Sequence, residues 1–270
     1  VQAEGSVFEL SRGMGREWEL YRAGIRLLKD VPPGTKLSAA QRQQVEGVQR
    51  GTRTIDLPAL RGWLADLQYP LHHFDFETFM TAVPLFDGTR PYQQLPFQYS
   101  LHIQRGPGAA PEAHAFLGSG TGDPREALVA QLLADIGPVG DILVYNASFE
   151  VSRIKELARD LPHHSKALLA LLTRVKDLHT PFKAGWYVVP AMRGRTSIKV
   201  VLPALVPHLR YDDLNVKEGS TASLLFAQLV GGTYTGDVDR LRADLLAYCG
   251  LDTLAMVEIL HVLQREAVQA

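Results

Sequence analysis

Three short stretches carry side chains whose types and spacing could do chemistry. Asp75-Phe76-Glu77 sets two carboxylates two residues apart. On a strand, residues i and i+2 share a face, so the pair would stand side by side. Phe74, Phe76 and Phe79 predict burial around them. Two carboxylates taken out of water repel each other unless a cation neutralises them, and oxygen-only ligands suit Mg²⁺ or Mn²⁺. Asn146-Ala147-Ser148-Phe149-Glu150 follows the apolar run 142–145. Asn146 or Ser148 is suited to cap a helix there, with Glu150 in its first turn at the end of a strand, where open α/β sheets place their sites. Tyr248 and Asp252, four apart, share one face of a helix amid Leu245, Leu246, Leu251 and Leu254, where a carboxylate needs a partner. Taken singly, each stretch has a plainer account: solvated acids on an exposed strand edge, a helix-start glutamate favoured by the macrodipole, and a peripheral Asp beside a core Tyr.

The elements that must position these residues are legible in outline. Residues 1–70 read as a polar, helical segment, with helices over 16–29, 39–50 and 57–67. From residue 71 the character changes. Strands are predicted over 72–76, 97–104 and 112–117. Asp123-Pro124-Arg125-Glu126 has the composition of a helix start. A strand over 141–145, a helix over 148–159 and a short strand over 175–178 follow. Helices are predicted over 197–205, 220–229 and 238–264. That order predicts an α/β fold, a mixed sheet flanked by helices with an N-terminal helical segment.

Composition narrows the classes further. The chain has 270 residues, 46% hydrophobic and 21% charged, as in globular domains rather than disordered ones. A single cysteine, Cys249, rules out a disulfide framework and a multi-cysteine metal site and fits a reducing, cytoplasmic setting. Cys249 has no neighbour in sequence that would activate it. No continuous apolar run of about 18 residues is present, so no membrane span is expected, and no leader pattern opens the chain. The chain opens at Val1, which fits a piece of a longer protein. The net charge of −1 argues against bulk electrostatic binding of duplex nucleic acid. A local basic cluster, Arg193, Arg195 and Lys199, could still follow a phosphate track or simply be a solvated loop. Thr78 and Asn146 adjoin the acids and could touch a terminal nucleotide. Gln93, Gln94, Gln98 and Tyr99 could line a channel or serve the core. Gly118-Ser119-Gly120-Thr121-Gly122 lacks the Gly-Lys-Ser/Thr of a P-loop. The pairs His72-His73 and His163-His164 have no third ligand in sequence range.

Together and in order, DFE, NASFE and YCGLD resemble the three motifs of the DEDD superfamily of proofreading-type exonucleases: D-x-E on the first strand, N-x-x-F-D at a strand-to-helix junction, Y-x-x-x-D in the last helix. The resemblance covers roughly residues 70–265 and implies an RNase H-like sheet. Ala247 and Tyr248 place it in the tyrosine branch. It implies a two-metal-ion 3′→5′ exonuclease for single-stranded DNA or RNA, with Mg²⁺ or Mn²⁺ as cofactor. Asp75 would bridge two ions, Glu77 and Asp252 would complete one site, Glu150 would serve the other, and Tyr248 would orient the attacking water. Glu150 departs from the family's Asp, which favours Mn²⁺ over the geometrically strict Mg²⁺. A catalytically silent, nucleic-acid-binding module is the alternative. Residues 84–102, YNASFEVSRIKELA and TSIKVVLPALVP are similar to a bacterial family in which this domain follows a RecB-like nuclease domain; ELYRAGIRLLKDVP resembles the junction. A fused N-terminal nuclease is thus an implied partner, and the division expected is 1–70 and 71–270.

Overall fold

A computed structural model describes residues 4–269. In chain order the elements begin with α1 (Arg16–Arg22), α2 (Ala39–Arg50), β1 (Thr54–Ile55) and α3 (Leu57–Ala65). Next come β2 (Leu71–Phe79), β3 (Leu95–Gln104), β4 (Glu112–Leu117), α4 (Arg125–Ile136), β5 (Ile142–Val144), α5 (Ser148–Asp160), α6 (Ser165–Leu171) and β6 (Val175–Asp177). The chain continues through α7 (Thr180–Lys183), β7 (Tyr187–Val188), α8 (Ile198–Leu205), α9 (Gly219–Val230) and α10 (Val238–Gln269). These elements belong to two compact units. The first draws on Val1–Asp66, His179–His208 and His261–Ala270, the second on Leu67–Leu178 and Leu209–Leu260. The sequence suggests one boundary near residue 70. The further crossings arise from long-range contacts, which local composition does not encode.

In the first unit, Ser38 and Gln41 form a reciprocal capping box at the start of α2, and Gly51 ends the helix with φ 63°. The helix expected over 16–29 stops at Arg22, and a separate 3₁₀ turn forms at Leu28–Asp30. Gly24, at φ 86°, turns the chain between them. Val7, Leu20, Leu28, Val31 and Val45 make this unit's apolar cluster. A two-residue ladder pairs Thr54 with Val188 and Ile55 with Tyr187.

The second unit is the expected mixed sheet flanked by helices. Its strand order is β4-β3-β2-β5-β6. β2, β3 and β4 pair antiparallel, whereas β2–β5 and β5–β6 pair parallel. Parallel neighbours need a crossover, and α4 makes the one before β5, α5 and α6 the one before β6. On one face Phe74, Phe76 and Leu101 pack with Leu128 and Leu132 of α4 and Ile154 and Leu157 of α5. Elsewhere Phe79 and Phe97 meet Phe226 of α9 and Leu245 of α10. Phe97 and Phe226 stack with ring centroids 3.9 Å apart. β2 is thus sandwiched, which explains its almost unbroken burial.

Two sequence readings need adjusting. α10 has the length and composition to cross a membrane even though no continuous apolar run exists, because its charges are sparse; 61% of its apolar window is buried inside the protein, as in a core helix. At the start of α4, Asp123 does accept the Arg125 N–H at 3.0 Å, but Pro124 precedes the helix and Glu126 makes no capping box.

The entry to the sheet is tightly fitted. Asp141 N–H donates to Gln68 O at 2.8 Å, and the Asp141 carboxylate accepts the Gln68 N–H at 2.8 Å. Gly140 sits at φ 82°, and a Cβ there would stand 2.0 Å from Pro70 O. Gly140→Ala is therefore expected to cost about 2–4 kcal/mol, combining left-handed strain with a backbone clash. Denaturant unfolding would show this as a lower midpoint with an unchanged slope.

Candidate functional site

All five residues singled out for chemistry lie in the second unit. Asp75 and Glu77 are on the same face of β2, opposite Ser100 and Gln98 of β3. Directly after Glu77 the register shifts: Glu77 faces Gln98, but Thr78 faces Pro96, leaving Phe97 as an extra residue on β3. Such bulges bend a strand and often adjoin sites. Thr78 flanks the acids at this bulge.

Glu150 comes from the first turn of α5. The reading of Asn146 or Ser148 as its cap is corrected: Ala147 precedes the helix and no side chain caps it. Asn146 instead has φ 70°, a conformation Asn tolerates, and donates its backbone N–H to Asp177 Oδ1 at 2.9 Å. Its side chain is exposed. Glu150 is only 2% exposed. Its Oε2 is buried without a hydrogen-bond partner among the described residues.

α10 contributes Tyr248, Cys249 and Asp252, all buried. β3 seats the helix through polar side chains. Gln98 donates to Leu245 O at 2.8 Å, and Thr253 meets Ser100 Oγ at 2.7 Å and His102 Nδ1 at 2.8 Å. The start of α9 comes close to the acids. A Cβ on Gly219 would lie 3.3 Å from Glu77 Oε2 and 3.7 Å from the Tyr248 hydroxyl. A helix amino end favours a carboxylate in that place.

The electrostatics are those of a site short of positive charge. Burial pushes the Asp75 carboxyl well above its ordinary value, and the charges of Asp252, Glu77 and Glu150 add to the effect. Burial raises Glu150 to about 8, with Asp177 contributing and Arg153 opposing. Burial, then Asp252, Glu77 and Asp75, raise the Tyr248 phenol, which therefore stays a hydrogen-bond donor. Ligand atoms of Asp75, Glu77 and Cys249 lie within 4.8 Å of one another. Buried carboxylates that repel, one with an orphaned oxygen, are a donor set that a hard divalent cation would satisfy. The residues fit the metal that the resemblance implies.

Three further residues adjoin the cluster. Tyr211 donates its hydroxyl to Asp252 Oδ1 at 2.5 Å, and its ring centroid is 6.4 Å from that of Tyr248. It lies in an irregular stretch before α9, with no periodic pattern to flag it. Asp177 ends a three-residue strand; its place beside β5 was the only signal for it. Cys249, read as an inert thiol, is buried with Sγ 3.9 Å from Asp75 Oδ2, and burial beside three carboxylates keeps it protonated.

The alternatives that the sequence leaves open resolve as follows. Gln98 and Tyr99 are core residues, Tyr99 donating to Asp135 at 2.6 Å. Gln93 donates to Asp160 at 2.7 Å, and Gln94 accepts from Arg153. Gln93, Gln98 and Tyr99 are thus buried, and Gln94 is half-buried. Arg193, Arg195 and Lys199 belong to the first unit. There Arg193 donates from Nε to Glu9 Oε1 at 2.8 Å, so its charge is balanced locally, while Arg195 and Lys199 are exposed.

A family model described as a domain of unknown function, DUF2779, matches residues 72–197. The match takes in Asp75, Glu77 and Glu150 and ends before Tyr248 and Asp252. The chain is also 25% identical over 264 residues to a protein of Ureaplasma parvum titled "Uncharacterized protein UU173", covering 90% of this chain and 37% of the relative. The chain thus spans well under half the length of that relative. No solved structure matches it.

Proposed function

We propose that the second unit is a metal-dependent 3′→5′ exonuclease acting on single-stranded DNA or RNA. The observation that carries this reading is the close pair Asp75 and Glu77 on β2, with Glu150 of α5 and Asp252 of α10 near enough for their charges to act on Asp75, and Glu150 Oε2 buried and unsatisfied among the described residues. The strand order and the ordered DFE, NASFE and YCGLD motifs support it.

Asp75, Glu77, Glu150 and Asp252 would hold two Mg²⁺ or Mn²⁺ ions. Such ions supply Lewis-acid stabilisation of the phosphodiester oxygens and a nucleophile from water at neutral pH. The chain's own part is to orient and exclude. Tyr248, held protonated, donates toward the attacking water. The start of α9 at Gly219 walls the Glu77 side. Asn146 and Thr78, which belong to the same unit as the acids, would contact a terminal nucleotide.

The test is incubation of the full chain with 5′-labelled single-stranded DNA and RNA in Mg²⁺, Mn²⁺ or EDTA. A metal-dependent ladder that shortens from the 3′ end supports the reading and chooses the substrate. Folded, metal-binding protein that cleaves neither would favour a catalytically silent binding module.

Tyr211 provides an independent check on the metal ligands. Tyr211→Phe keeps the ring but removes the hydroxyl that donates to Asp252 Oδ1. Outer partners of metal ligands are worth about 10–100-fold in affinity. Calorimetric titration with Mn²⁺ should show a loss in that range with little change in thermal midpoint. Unaltered affinity would remove Asp252 from the ligand set.

A further inference from the structure

The two histidines that lack a third ligand in the sequence acquire one in the fold. His163 and His164 form the end of the 3₁₀ turn Pro162–His164 after α5. Glu126 lies in the first turn of α4. His163 Nε2 is 2.9 Å from Glu126 Oε1 and 3.0 Å from Oε2. His164 Nε2 is 2.9 Å from the same Oε1. Adjacent residues on a helical turn ordinarily point in different directions, yet both rings converge on one carboxylate, with centroids 4.3 Å apart. A ligand atom from each of the three residues lies within 4.8 Å of the others. Glu126 and His163 are exposed, and His164 is partly buried, so an ion has open access.

We propose that Glu126, His163 and His164 form a binding site for a single borderline transition-metal dication, zinc first among them, separate from the carboxylate cluster. Two imidazole nitrogens and one carboxylate are the ligand types of zinc, whereas Mg²⁺ and Ca²⁺ take oxygen ligands. Ligands about 2.0–2.2 Å from a tetrahedral ion stand about 3.3–3.6 Å apart. The observed 2.9–3.0 Å separations require the three side chains to open by only a few tenths of an ångström. Without an ion, both imidazoles must donate to the one carboxylate. When an ion binds, each imidazole presents its Nε2 lone pair and carries its proton on Nδ1, so all three residues are satisfied together. Water would complete the coordination, as in sites with three protein ligands. Bound there, the ion ties the first turn of α4 to the turn that ends α5.

The experiment is equilibrium dialysis of the full chain against Zn²⁺ with excess Mg²⁺ present to occupy the oxygen-ligand cluster. The wild type should retain about one zinc per chain. The double variant His163→Ala/His164→Ala and the single variant Glu126→Gln should each bind at least about tenfold more weakly, while Asp75→Asn retains its zinc. Circular dichroism establishes that each variant is folded, and exposure of the replaced side chains favours that. As a second reading, Cu²⁺ added to the wild type should give an electron paramagnetic resonance spectrum with nitrogen splitting that the double variant lacks. Zinc retained in full by the histidine variant, no zinc retained by the wild type, or copper without nitrogen splitting would each overturn the site. None of these outcomes bears on nuclease activity, so the two proposals stand or fall separately.

Discussion

Asp75→Asn should abolish metal-dependent shortening of a single strand and, in the absence of metal, leave the protein more stable than the wild type. The loss expected is at least about a thousandfold, roughly 4 kcal/mol of barrier, since an ion's charge stabilisation is worth several kcal/mol. The gain in stability has a different origin. Asp75 sits between buried Phe74 and Phe76 and faces the charges of Asp252, Glu77 and Glu150. Asparagine has nearly the same shape and is neutral without taking up the proton that Asp75 must bind to enter this site at neutral pH. A residue needed only for folding would behave in the opposite way, losing midpoint and activity together. Thermal unfolding in EDTA beside a labelled-strand assay separates the two cases. Undiminished cleavage by the variant would end the exonuclease reading.

The second large effect is a pH dependence that metal should invert. Glu150 titrates at about 8 in the folded protein, against an ordinary 4.5, and Asp75 is raised well above its ordinary 3.8. Between about pH 4.5 and 8 the folded state therefore holds protons that the unfolded state has released. Stability then falls as pH rises through that window. The metal-free protein should have its highest midpoint toward pH 5 and lose ground steadily up to pH 8 or above. Metal ligands must be deprotonated, so binding Mn²⁺ releases those protons and grows stronger with pH. At an ion concentration a hundred times its Kd, the stabilisation is about 2.7 kcal/mol, or roughly 5–10 °C for a chain of this size. Scanning calorimetry at pH 5.5 and 8.5, with EDTA and with Mn²⁺, checks both signs. A metal-free midpoint that is flat or rises with pH would contradict the burial of these carboxylates.

Much of the second unit was legible because its signals are local. Strand alternation put Asp75 and Glu77 on one face, and helical spacing put Tyr248 and Asp252 on another. What escaped depends on contacts distant in sequence. Tyr211 reaches Asp252 from an aperiodic stretch. Asp177 meets Asn146 only through the pairing of β5 with β6. Glu126 finds its histidines across α4 and α5. The first unit is assembled from three separated stretches, and Arg193 is tied down by Glu9, far away in the sequence. Gln98 stayed open between channel and core because its polarity is visible in the sequence and its partner, Leu245 O, is not.

That contact of Gln98, together with the one that Ser100 and His102 make to Thr253, has a mechanical consequence. Leucine and alanine side chains present a smooth surface, and a long apolar helix lying on one can slide or roll at little cost. A slip of α10 by one residue would shift Asp252 by about 1.5 Å along the axis and turn it through about 100°, carrying it away from Asp75. Leu245 and Thr253 bracket Tyr248 and Asp252, and each is held by β3 at 2.7–2.8 Å. They act as two dowels, one on each side of the working residues, so the helix has a single seat. In an interface this oily, precision comes from the few polar atoms it contains.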